Sequence, residues 1–494
     1  MTVEVRNRLA YLRRFGVDPP WLFCSAAVLG GIALLCSGCA STYRPYMNQP
    51  MDATVAMTES PAYRAAAVSR GSTGLMLIVS FSGGGTRAAA LAYGVLDKLK
   101  NTRVIWEGRE TSLADQIYLV SGVSGGSIAA AYFVASGGAF EDLKGKFLNY
   151  DFESDLLTAA MEPAGAFHLT SPWYGRGNLL ADEFDRVLFH GVTYGQVLAR
   201  RLRPILVITA TDLSLGTTFE FSERQFRQIC SEIGTLPVAV AVAASNSVPI
   251  IFTPTTLRNY TGSCPIEPSS TIEVAGTPRS GAGRQPSVEE QDLYKDWHSR
   301  PFLHLVDGGL VDNLGLRRFV DGVAAAGGLA RSLQSKGISG IHKIVFLTVD
   351  AGRRNSFEAD RVDSIPSTMD VARGIQFGLL SHYSAETSET FAKEIGKWRT
   401  EVRTDASEGT GPFASDADLY YIAVRLQDYS DPATRAKLLS IPTAYTLEEG
   451  QVQELIDAGH ELLDSNDEFK RLVTDLGGPS KPTTPNSNVR FPED

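Results

Sequence analysis

Short, uninterrupted apolar runs alternate with stretches of helical periodicity along most of this chain. That alternation constrains the fold more than any other feature. LMLIVSF (75–81), IYLV (117–120), FLHLVD (302–307) and KIVFLTVDA (343–351) read as strands. Runs this apolar belong to strands buried on both faces, the condition of a parallel sheet covered by helices. Between them, TRAAALAYGVLDKLK (86–100) reads as a helix with Leu91, Val95 and Leu99 on one stripe, and GGSIAAAYFVA (125–135) as another. PILVITATDL (204–213) and TTFEFS (217–222) read as a hairpin through Gly216. VAVAVAA (238–244) opens a strand region reaching residue 253. DLYYIAVRL (418–426) reads as a late strand. Residues 446–476 read as helical, with Leu447, Val452, Leu455, Ile456 and Leu462 available to pack. The expected fold class is α/β, with a mostly parallel central sheet and helices on both faces.

The two ends of the chain differ from this body. Arg6, Arg8, Arg13 and Arg14 precede WLFCSAAVLGGIALL (21–35), and Cys36-Ser37-Gly38-Cys39-Ala40 follows. The uncharged run is shorter than the roughly 20 residues of a spanning helix. A basic start, a short apolar run and a small-residue site form an export signal. Ser37-Gly38-Cys39 resembles a bacterial lipobox, with Cys36 where Leu is usual, and Cys39 would then carry lipid. An uncleaved anchor and a plain cleaved signal are the other readings. The expected location is an exported, membrane-anchored lipoprotein, with Ala40 favouring the outer membrane or periplasmic face.

Residues 1–39 carry +2 of the formal net charge of −10, leaving −12 on the remainder. An acidic body argues against nucleic acid as a partner. Residues 40–72 read as a tether or N-terminal extension, 73–476 as the main domain and 477–494 as a disordered tail. Within that domain, about 255–300 reads as a long surface insertion and about 365–476 as a C-terminal helical region. Cys230 and Cys264 are a candidate disulfide in an exported chain. It would close a loop of about 35 residues and stabilise by roughly 3–4 kcal/mol.

Three motifs carry chemistry. Gly122-Val123-Ser124-Gly125-Gly126 fits G-x-S-x-G between a strand and a helix, the setting of a nucleophile elbow. Gly122 and Gly126 permit close approach, and the Gly125 amide can face a developing oxyanion. Ser82-Gly83-Gly84-Gly85-Thr86-Arg87 also joins a strand to a helix, placing bare amides at a helix N-terminus. It reads as an oxyanion loop for Ser124. A dinucleotide fingerprint ending at Ala88, with Glu107 beyond the short strand VIW (104–106), and a purely structural turn are the alternatives. Arg87 reads as a residue that orients the loop. There is no Gly-Lys-Ser/Thr, which excludes a P-loop.

Asp307-Gly308-Gly309 ends a strand with a carboxylate. A serine nucleophile needs a base, usually histidine, and no histidine stands in a suitable loop, so the residues offer a serine and a carboxylate that could face the same sheet edge. His304 lies on the opposite strand face and reads as packed. Asp312 reads as the cap of a helix starting near Asn313, and Asp212 as a turn residue.

Together these motifs resemble the patatin-like phospholipase family. That family combines a G-G-G-x-R loop, a G-x-S-x-G nucleophile and a D-G-G or D-G-A motif in one α/β domain. Here Gly83 to Arg87, Gly122 to Gly126 and Asp307-Gly308-Gly309 match in the family's order, and Asn313 falls on an asparagine that often follows. Ala243 to Pro249, then Phe252-Thr253-Pro254, matches its small-residue segment. The resemblance spans roughly 73–351. It implies a patatin-like three-layer sandwich and a Ser124–Asp307 dyad. It implies an oxyanion hole from Gly83, Gly84, Gly85 and Gly125, and fatty-acyl esters of phospholipids or lysophospholipids as substrates. It implies no cofactor, metal or nucleotide. A carboxylesterase on small soluble esters and a non-catalytic surface lipoprotein are the competing functions.

Overall fold

Period-two alternation in the strands feeds two separate cores. In β1 (Leu75–Phe81), Leu75, Leu77, Val79 and Phe81 enter one apolar cluster, while Met76 and Ile78 enter the other. The computed structural model describes residues 41–52, 74–200, 204–264, 293–352, 363, 365–409 and 411–478. The signal segment, Cys39 and most of the 477–494 tail lie outside the described residues.

The further strands of the main sheet are β2 (Ile117–Val123), β3 (Ile205–Asp212), β4 (Thr217–Phe221), β5 (Thr255–Arg258), β6 (Phe302–Asp307), β7 (Ile341–Asp350) and β8 (Phe413–Arg425). β8, β7, β1, β2 and β3 are neighbours in that order, all parallel. β4 and β6 run antiparallel to β3, and β5 antiparallel to β6.

The helices used below are α1 (Gly85–Asn101), α2 (Gly125–Ala135), α3 (Phe152–Met161), α4 (Pro163–His168), α5 (Val238–Ser245), α6 (Thr368–Glu408) and α7 (Glu449–Ser465). α1, α2, α5 and α7 bury residues in the first cluster. Phe391, Ile395, Trp398 and Val402 of α6 fill the second. The result is a helix–sheet–helix sandwich with a mostly parallel sheet. Among the described residues no helix is long and apolar enough to cross a membrane.

The register at β3 positions the chemistry. Residues 205–209 of β3 pair with β2, ending at Val123↔Thr209. Residues 210–212 pair with β6, where Asp307 meets Ala210. β4 pairs with 208–212, so it takes the other edge. β2 and β6 therefore share one edge of β3 and meet end to end.

Three expectations need correction. Residues 238–245 form a helix rather than a strand. Val238, Ala239 and residues 241–245 are all buried, so the segment shows no periodicity, and its alanines favour helix. Residues 255–258 belong to the main sheet instead of a surface insertion; 265–292 lie outside the described residues. Residues 41–52 are docked, not a loose tether. Asn48 is fully buried, giving Nδ2 to Ser231 Oγ and the Arg258 carbonyl and accepting the Arg258 amide. The late strand expected at 418–426 is β8, which starts earlier, at Phe413, among the helices of the 365–476 region.

Cys230 and Cys264 are joined by a disulfide with Cα atoms 5.6 Å apart. It ties the start of the chain's departure from the sheet at Cys264 back to Cys230. The Met51 amide donates to the Cys230 carbonyl at 2.9 Å, so the docked N-terminal strip is held at the same corner.

Candidate active site

Ser124 sits between β2 and α2 with φ 47° and ψ −126°, a backbone conformation that non-glycine residues rarely adopt. Such strain costs about 1–3 kcal/mol and persists only where surroundings enforce it. They do so here. The Ser124 amide donates to Ser245 Oγ at 2.8 Å, and Ser245 Oγ donates to the Thr209 carbonyl at 2.6 Å. The Ser124 carbonyl accepts from the Ser127 amide, Ser127 Oγ and Asn246 Nδ2 at 2.8, 2.6 and 2.9 Å. Ser245 and Asn246 stand at the C-terminal end of α5, so the misread helix is what clamps the elbow.

Ser124 Oγ donates to Asp307 Oδ2 at 2.8 Å. Asp307 is held in turn: Oδ1 accepts the Gly309 amide at 2.8 Å, and its carbonyl accepts Thr211 Oγ1 at 2.9 Å. Its own amide donates to the Ser247 carbonyl, and the Gly308 amide to the Ser245 carbonyl. Serine and aspartate are 8% and 5% exposed, so the pair is shielded without being wholly sealed from solvent.

The glycine loop lies directly against the elbow. A Cβ on Gly125 would fall 2.0 Å from the Gly85 carbonyl oxygen, so only glycine fits there. Gly85 itself has φ 60°. The Gly83 amide is committed elsewhere, donating to the Asn313 carbonyl at 3.1 Å. Gly83 therefore leaves the oxyanion set, and Asn313 is a loop anchor. Arg87 is 3% exposed, donating Nε to the Ala351 carbonyl and Nη1 to the Ile441 carbonyl at 3.0 and 2.7 Å. It braces the loop from behind.

Residues 444–446 were not legible as part of the site. The Ala444 carbonyl accepts the Thr86 amide at 2.9 Å, and the Tyr445 carbonyl accepts Thr86 Oγ1 at 2.7 Å. The Tyr445 ring packs near Phe152, Phe184 and Phe252, and its hydroxyl donates to the Asn246 carbonyl at 3.3 Å. Glu153 accepts the Tyr445 amide, and Thr446 Oγ1 donates to Asp151. No local pattern in the sequence announces this strap.

Other carboxylates fall outside the site. Asp312 accepts the Leu316 and Arg317 amides, so it caps a helix that begins at Arg317 rather than Asn313. Asp212 accepts the Ser214 and Leu215 amides as a turn residue would, and it also binds Arg300 through both oxygens. His304 is exposed on the outer face beside Thr256 Oγ1, not packed, because β5 and β6 turn that side to water.

Burial pushes the Asp307 carboxyl up to about 6, while the Gly309 amide and the Ser124 hydroxyl pull it down. A base must be ionised to take a proton. Turnover that depends on Asp307 should therefore rise with pH through about 6 and level off above it. A kcat/KM profile that stays flat down to about pH 4 would remove Asp307 from the base role.

An α/β sandwich with a strained serine elbow, a paired aspartate and a glycine loop at a helix start defines a serine hydrolase architecture. Residues 79–320 match the family model described as patatin-like phospholipase. That stretch of the chain is thus similar to a patatin-like phospholipase domain.

Among solved structures the chain is similar to human GIVD cytosolic phospholipase A2, at 12% identity and TM-score 0.40, covering 88% of this chain. It spans 65% of that enzyme's length. The same human enzyme in complex with methyl gamma-linolenyl fluorophosphonate matches at 12% identity and TM-score 0.38, over 84% of this chain and 64% of that one. No curated protein sequence matches this chain.

Proposed function

We propose that the protein hydrolyses fatty-acyl esters of phospholipids or lysophospholipids through a Ser124–Asp307 dyad. The observation that carries this reading is the 2.8 Å hydrogen bond from Ser124 Oγ to a buried carboxylate at a strained elbow. Asp307 accepts the hydroxyl proton as Ser124 attacks the acyl carbonyl, giving a tetrahedral intermediate. The amides of Gly84, Gly85 and Gly125 face the oxyanion. One such donor is worth about 10²–10³ in turnover. The proton returns to the leaving alcohol and an acyl-serine remains. Water, deprotonated by Asp307, then releases the fatty acid. The reading needs no metal, nucleotide or other cofactor.

Residues 1–39 support a second element of the proposal. An export signal ending at a lipid-bearing Cys39 would hold the enzyme at a membrane surface, on the periplasmic or outer-membrane side. A lipid substrate is then at hand.

A fluorophosphonate tests the nucleophile before any substrate is known. The expected adduct is on Ser124, located by mass spectrometry, and Asp307→Asn should prevent it. Absence of any adduct on folded protein, with and without detergent micelles, would favour the non-catalytic lipoprotein. Hydrolysis confined to monomeric short esters would favour the small-ester reading.

A further inference from the structure

Exposed apolar side chains gather beside the site. Leu157 and Met161 on α3, Phe167 on α4, Trp173, Ile250 and Ile251 are 63%, 75%, 51%, 46%, 55% and 44% exposed. The two helices fold back on each other, with Gly165 against the Ala159 carbonyl. Just beyond Trp173, Arg176 Nη2 donates to the Ile250 carbonyl at 2.7 Å, which brings the isoleucine turn alongside. Ile250 has φ 74°. For a β-branched residue that is an outlier, so this turn holds two isoleucines in water against both burial and backbone preference. The turn follows Asn246 and Ser247, which hold the elbow and the base strand. α3 begins beside Asp151 and Glu153, which hold residues 445 and 446. The patch therefore borders the wall of the site.

The described chain begins at this patch. The Ser41 amide donates to Thr170 Oγ1 at 3.0 Å, and Ser171 Oγ donates to the Tyr43 carbonyl at 2.7 Å. The Tyr43 ring stacks on His168 at 3.7 Å, and the Arg44 guanidinium lies 3.9 Å above the Trp173 ring. In sequence, Cys39 stands two residues before Ser41 and the uncharged run 21–35 just before that. At roughly 3.5 Å per residue, a lipid anchored there is within reach of Trp173.

We propose that this patch docks on the lipid surface that holds the N-terminal segment, so that the dyad faces the membrane from which substrate enters. The inference rests on the lipid-hydrolase and membrane-anchor readings above. Apolar chains at such a surface bury in the headgroup–acyl boundary. Arg44 and Arg176, both exposed among them, suit phospholipid phosphates.

The test uses the full chain in vesicles of phosphatidylethanolamine and phosphatidylglycerol doped with a brominated phospholipid. Bromine should quench Trp173, so Trp173→Phe removes a quenched component that Trp297→Phe leaves in place. Leu157→Glu combined with Met161→Glu should lower hydrolysis of vesicle-borne phospholipid about tenfold, with turnover of a soluble short-chain ester unchanged. Quenching indifferent to Trp173→Phe, or equal loss of both activities, would overturn the docking. A parent chain that cleaves neither ester while Trp173 is quenched would support the docking and defeat the hydrolase reading.

Discussion

Asp307→Asn is expected to lower hydrolysis by about 10⁴-fold while the protein stays folded, and Ser124→Ala to do the same. Each removes half of a unit, so the double variant should be scarcely worse than either single one. Asparagine keeps an oxygen for the Gly309 amide but cannot take the serine proton. Stability should move the other way. The folded carboxyl sits at about 6, above its ordinary value of 3.8. Its contribution to stability is thus fully present below about pH 4 and lost as pH rises through about 6. At neutral pH a buried charged carboxylate is a burden, and Asp307→Asn should unfold at higher denaturant than the parent. Urea titrations at pH 7 and assays of the same preparations check both halves. A destabilised and inactive variant would leave the catalytic role unproved.

Arg300→Ala is expected to destabilise the fold by about 3–5 kcal/mol, among the largest effects of any single substitution. Asp212 is fully buried, and Arg300 Nη2 reaches its two oxygens at 2.9 and 2.8 Å. Tyr294 donates its hydroxyl to the same carboxylate at 3.1 Å. This knot fastens the segment leading into β6 onto the end of β3, two residues from the Asp307 level. Removing the guanidinium strands a charge in the interior. Asp212→Asn with Arg300→Met should recover much of the loss, because no uncompensated charge remains. Denaturant midpoints of the parent and both variants decide it. A midpoint unchanged in Arg300→Ala would show that water already reaches Asp212.

What could be read in advance was whatever depends on local pattern. β1 and α2 fall at the residues that their apolar runs and flanking glycines mark. Ser124, Asp307 and the glycine loop each announce themselves through a strand end beside glycines. The misreading of 238–245 has a physical cause, since a helix buried all round shows no amphipathic period to separate it from a strand. With that helix hidden, the clamp by Ser245 and Asn246 was hidden too. The Asp212–Arg300 pair spans 88 residues, and Thr86 to Tyr445 spans 359. Contacts of that range are set by tertiary packing, and no local periodicity encodes them. The committed amide of Gly83 belongs to the same class, because its partner Asn313 arrives from beyond β6.

The end-to-end meeting of β2 and β6 has a consequence for how this domain tolerates change. Ser124 and Asp307 are gauged against one ruler, the edge of β3, at Thr209 and Ala210. One residue added inside either strand would turn its side chain to the other face and part the dyad. Residues added to the loops between the strands shift neither mark. The region from 125 to 301 is thus free to lengthen, shorten or acquire new surfaces at its loops while the catalytic spacing is conserved by two short pairings alone.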